Sequence, residues 1–99
     1  MPIANYEIYT KMLENAYRNG FAYPSINCVN MVTINAAIRA FAELKSDGMI
    51  QFSTGAGSFA SGLGVNDSVE GCLALAEYAH RIAKRYDVYV ALHTDHCQP

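Results

Sequence analysis

Apolar side chains recur at Tyr9, Met12, Leu13, Ala16 and Tyr17 with polar residues between them. Spacings of three and four put them on one face of a helix, so Tyr6 to Asn19 is predicted to be helical. Asn5 stands where an N-cap belongs and Gly20 where a left-handed terminating residue belongs. Ala22 to Val29 reads as a strand, with Pro24 near its start, where a missing backbone donor is best tolerated. Asn30 is predicted to cap a second helix whose apolar stripe is Ile34, Ala37, Ile38, Phe41 and Leu44, with Gly48 as its stop. The strand Met49 to Ser53 follows at once. Asp67, with Glu70 three residues on, resembles a capping box and opens a helix carrying Val69, Cys72, Leu73, Ala76, Ala79, Ile82, Ala83 and Tyr86. The apolar run Val88 to Leu92 then predicts a third strand.

Between the second strand and the Asp67 helix, Gly55-Ala56-Gly57-Ser58-Phe59-Ala60-Ser61-Gly62-Leu63-Gly64 is too glycine-rich to predict a regular element. Its apolar residues predict an ordered, folded loop. The loop lacks the dinucleotide fingerprint, because Ala60 stands where GxGxxG needs its third glycine, and no GK[ST] follows. Strand, helix, strand, helix, strand is the pattern of a parallel sheet with covering helices and right-handed crossovers. An open doubly wound sheet and a closed eight-stranded barrel both fit, and both gather functional residues at the carboxyl ends of strands. A barrel takes roughly 250 residues, so the chain reads as about the first three-eighths of one.

Composition narrows the partners. The 99 residues are 52% hydrophobic and 16% charged with a formal net charge of -2, ordinary for a soluble protein and without the cationic stripe that phosphate-backbone binding requires. Nucleic acid is therefore not an expected ligand. No basic-then-apolar leader opens the chain and no apolar run approaches a membrane span, so no membrane partner is expected and the chain reads as cytoplasmic. Cys28, Cys72 and Cys97 form no CxxC pair, so reduced thiols are expected, with Cys28 and Cys72 as small packing residues.

The most informative segment is His93-Thr94-Asp95-His96-Cys97, directly after the third apolar run. Two imidazoles and a carboxylate at the end of a buried strand suit a metal-assisted active site, although they also suit a buried histidine beside a helix-capping carboxylate. In a regular strand His93, Asp95 and Cys97 share one face and Thr94 and His96 the other, so a turn must reorient some of them. Ser53 and Asn27 are polar residues late in apolar strands and are predicted to meet Asp95 at one rim.

Three segments together resemble class II fructose-bisphosphate aldolase: Pro24-Ser25-Ile26-Asn27-Cys28-Val29, Gln51-Phe52-Ser53 before a glycine-rich turn, and Ala91-Leu92-His93-Thr94-Asp95-His96-Cys97. They occur in family order over essentially all of the chain, and the HTDHC segment is typical of the fructose-bisphosphate branch. The loop lengths resemble the actinobacterial form. The resemblance implies a (β/α)8 TIM barrel preceded by the Tyr6 helix, with residues 1–99 as the amino-terminal part of one barrel domain. It implies reversible aldol cleavage of fructose 1,6-bisphosphate to dihydroxyacetone phosphate and glyceraldehyde 3-phosphate. His96 becomes a ligand of a catalytic Zn²⁺ that polarises the ketose carbonyl. Asp95 moves the proton of the C4 hydroxyl, Ser53 contacts the sugar-phosphate substrate, and Asn27 supports that contact. His93 is carried over as motif only.

Further zinc histidines, a phosphate loop and a monovalent-cation site belong downstream in these aldolases, whose members are homo-oligomers, dimers or assemblies of dimers. The isolated 99-residue polypeptide is accordingly expected neither to hold zinc tightly nor to turn over substrate. Tagatose-bisphosphate aldolase, a non-catalytic fragment of the barrel and an ordinary metal-binding α/β module are the competing readings.

Overall fold

A computed structural model describes residues 1–96. Helix α1 spans Tyr6–Asn19, with the Ile8 N–H donating to Asn5 Oδ1 at 2.9 Å and Gly20 closing it at φ 68°. Its buried Met12 and Ala16 face the amino ends of the strands, where Ile8 and Asn15 line a cavity with Tyr23, Asp47 and Tyr89. Strand β1 is only Ser25–Asn27, shorter than the Ala22 to Val29 expected. Pro24 offers only its carbonyl, to the Met49 N–H, and after the Cys28 N–H bonds Gln51 the chain departs for the cap at Asn30.

Helix α2, Met31–Glu43, is closed at its start by a reciprocal Asn30–Thr33 capping box. Its stop is not Gly48. Lys45 takes φ 52°, Ser46 N–H donates to the Phe41 carbonyl and Lys45 N–H to the Ala42 carbonyl, which is a Schellman ending without glycine. Gly48 instead begins strand β2, Gly48–Ser53, and is small because a Cβ there would lie 2.6 Å from the Phe41 ring.

The glycine-rich stretch is a second departure from expectation. Thr54–Ser61 forms helix α3, capped by Ser53, with Ala56 and Gly57 buried. Helix propensity undervalues Gly55 and Gly57, whereas tertiary packing requires a bare backbone at Gly57. Helix α4, Ser68–Ala83, starts at Asp67, whose Oδ1 accepts from Val69 and Glu70. The Asp67 N–H goes to Ser61 Oγ at 2.9 Å and not to Glu70, so the expected capping box is replaced by a link to α3.

Strand β3 is Val90–Asp95 and not Val88 to Leu92, so the His93-Thr94-Asp95 segment lies inside the strand. Six parallel pairs with β2, from Gly48–Val90 to Ser53–Asp95, carry it that far. Sheet order is β1-β2-β3, all parallel. One face packs Ile50, Phe52 and Val90 with Cys28 against Ile34, Ile38 and Phe41 of α2 and Leu75 and Ala79 of α4. Each such large apolar side chain contributes about 1.5–3 kcal/mol on burial. Among the described residues, no helix is long and apolar enough to cross a membrane.

Candidate active site

Alternation along the strands sends every second side chain to the face that the helices do not cover. On β2 buried Ile50 and Phe52 alternate with half-buried Gln51 and Ser53, and on β3 Val90 and Leu92 alternate with His93 and Asp95. Register aligns Asn27 with Gln51, Gln51 with His93, and Ser53 with Asp95. Ser53 and Asp95 are therefore direct neighbours at the carboxyl ends, as the sequence predicts. Asn27 shares their face but lies a layer lower, about 7 Å back along the strands and about 5 Å across from β2.

Gln51 lies in the same layer as Asn27. Gln51 accepts a 2.7 Å hydrogen bond from the Ser25 hydroxyl across β1 and β2, and stands in register between Asn27 and His93. The sequence signal for this placement is its position two residues before Ser53 in an alternating strand.

Ser53 sits at the β2–α3 junction. Its Oγ accepts from the Ala56 N–H at 3.0 Å, so its own O–H remains a donor for an acceptor in front of the sheet. Its carbonyl accepts from the Cys72 thiol at 3.8 Å. Cys72 is thus more than the packing residue expected, while Cys28, fully buried, is one; burial pushes the Cys28 thiol upward and the Thr33 hydroxyl draws it partly back. Cys28 is in no disulfide.

At His96 the backbone turns out of the strand with φ 50°, a left-handed conformation uncommon for residues other than glycine but more accessible to His than to most. The turn brings Nε2 to 3.6 Å from Asp95 Oδ2, although simple alternation would have put the two on opposite faces. That separation is too long for a hydrogen bond, so each group keeps capacity for a third atom. The Asp95 side chain is 26% exposed and that of His96 80%, a partly sheltered carboxylate beside an open imidazole. Among the described residues, no group of three or more His, Cys, Asp or Glu side chains is placed to hold a metal ion. Cys97, the last residue of the motif, lies outside the described residues.

The model for fructose-bisphosphate aldolase class-II matches residues 7–99. The chain belongs to the class II fructose-bisphosphate aldolase family. It is 58% identical over 98 residues to a fructose-bisphosphate aldolase of Corynebacterium glutamicum, covering 99% of this chain and 28% of that protein. A Mycobacterium tuberculosis fructose-bisphosphate aldolase is 59% identical over 97 residues, covering 98% of the chain and 28% of the relative. The crystal structure of fructose-bisphosphate aldolase from Campylobacter jejuni superposes with a TM-score of 0.91 at 36% identity, over 97% of this chain and 28% of that one. The chain thus spans little more than a quarter of these relatives' length. Its parallel sheet and covering helices are the amino-terminal part of the aldolase (β/α)8 barrel, and the polar rim lies at the strand ends where such barrels build their active sites.

Proposed function

We propose that a full-length protein containing this chain is a zinc-dependent aldolase that reversibly cleaves fructose 1,6-bisphosphate to dihydroxyacetone phosphate and glyceraldehyde 3-phosphate. The observation that supports this most is the junction of Ser53, Asp95 and His96 at one strand-end rim, in a chain of this family. His96 contributes one ligand to the metal. Zn²⁺ held there supplies Lewis-acid polarisation of the ketose carbonyl.

Asp95 takes the proton from the C4 hydroxyl in cleavage and returns one to the aldehyde oxygen in condensation, as general base and acid. Its partial shelter limits competition from water without hiding the carboxylate. Ser53 donates its hydroxyl proton to a substrate oxygen while its lone pair stays on Ala56. Asn27, a layer below, supports that contact through the polar face. A monovalent-cation site, a homo-oligomeric assembly, a cytoplasmic setting and a place in glycolysis and gluconeogenesis belong to the same reading. One imidazole makes a weak metal site, so residues 1–99 alone are expected to lack tight zinc and turnover.

The test is turnover of the full-length protein on fructose 1,6-bisphosphate and on its C4 epimer, tagatose 1,6-bisphosphate, before and after chelation. The proposal expects faster cleavage of the fructose sugar, loss of activity with chelator and recovery with zinc. Chelator-resistant turnover, or preference for the tagatose sugar, would overturn it.

A further inference from the structure

Helices α3 and α4 meet backbone to backbone. A Cβ added to Gly71 would stand 1.6 Å from the Gly57 carbonyl oxygen, and one added to Gly57 would stand 2.4 Å from the Ser68 carbonyl oxygen and 2.7 Å from Cys72 Sγ. Both glycines lie inside helices and neither has a positive φ, so each is required for space and not for a special backbone angle. Helix propensity alone would favour alanine at Gly71, which makes the steric demand the dominant one.

This contact adjoins the anchorage of Ser53. The residue next to Gly57 is Ala56, whose N–H supplies the 3.0 Å bond to Ser53 Oγ. The residue next to Gly71 is Cys72, whose thiol lies 3.8 Å from the Ser53 carbonyl oxygen. A third link, Asp67 N–H to Ser61 Oγ at 2.9 Å, ties the far end of α3 to the start of α4. Pushing α3 off α4 therefore moves the Ala56 donor and the Cys72 thiol relative to Ser53 together.

We propose that the Gly57–Gly71 contact, with Cys72 beside it, is a positioning device that fixes the rotamer and height of the Ser53 hydroxyl at the substrate-facing rim. The proposal rests on the reading of Ser53 as a substrate contact. With the cap bond in place, the oxygen lone pair is committed to Ala56 and the O–H is aimed at an external acceptor. With the cap bond stretched, the hydroxyl loses that orientation. Gly57, Gly71 and Cys72 act through Ser53 and touch no reacting atom themselves.

A double-mutant cycle in the full-length enzyme tests this, with Gly71→Ala, Ser53→Ala and the double variant assayed for kcat and KM on fructose 1,6-bisphosphate. Gly71→Ala is expected to lower kcat/KM by about 10- to 100-fold, mainly through KM, as a displacement near 1 Å does. Added to Ser53→Ala, it is expected to change kcat/KM by less than about twofold, since the group it positions is gone. Equal losses in both backgrounds would overturn the positioning role. Cys72→Ala, a cavity-forming change that folds more readily, is expected to raise KM about two- to fivefold with Ser53 present and not without it. An unchanged KM in Ser53→Ala alone would instead overturn the substrate role of Ser53, separately from the result at Gly71.

Discussion

The two faces of the three-stranded sheet are built from the same strands by opposite rules. On the helix side Ile50, Phe52 and Val90 are at most 3% exposed, and no buried polar or charged residue is found among the described residues. On the other side Ser25, Asn27, Gln51, Ser53, His93 and Asp95 follow each other in register, with one cross-strand hydrogen bond and an acid–imidazole approach at the end. Substitution on the first face should cost stability and leave chemistry intact. Substitution on the second should do the reverse.

The largest effect expected is on the polar side. Asp95→Ala in the full-length enzyme should lower kcat by about 10²- to 10⁴-fold, the range for a lost general acid–base group, with the melting temperature unchanged. Steady-state kinetics beside calorimetry would show it, and a matching loss of stability would blur the division between the faces. On the apolar side Ile38→Ala, at a fully buried position of α2, should destabilise by about 2–5 kcal/mol in denaturant titration while kcat per folded subunit stays near wild type.

Gly48→Ala should cost about 1–3 kcal/mol by forcing a Cβ into the Phe41 ring, and shrinking that ring with Phe41→Leu should recover part of the loss. Asn30→Ala removes the acceptor of the α2 capping box and should cost about 1 kcal/mol without affecting KM. The smallest effect concerns pH. Because Cys28 is raised above its ordinary 9.0 chiefly by burial, the unfolded chain loses that proton first. Stability is then complete below that value and declines as pH rises through it, and Cys28→Ala should lack this alkaline component of the melting curve.

The apolar face was the readable one. Helical spacing located α1, α2 and α4 and most of their core residues, because a stripe facing a sheet leaves a period in the chain. Helix α3 was not readable, since its glycines lower local propensity and its justification is Gly71, fourteen residues further on. The end of β3 differs from the hydropathy pattern for a related reason: hydropathy falls at His93, but backbone pairing to β2 does not depend on hydropathy and continues to Asp95. The rim residues Ser53, Asp95 and His96 stood out by motif and resemblance. Gln51 falls within the Gln51-Phe52-Ser53 segment, but its partner and that of Cys72 lie on other elements and leave no period in the chain, Ser25 in one case and the Ser53 carbonyl in the other.

In the proposed function, neighbouring Asp95 and His96 divide proton transfer from metal binding. Zinc per subunit in full-length Asp95→Ala and His96→Ala, measured beside turnover, tests it most directly. Zinc is expected to be retained and turnover lost in Asp95→Ala, and zinc to be lost together with turnover in His96→Ala. Equal loss of zinc in both variants, or full zinc in His96→Ala, would contradict it.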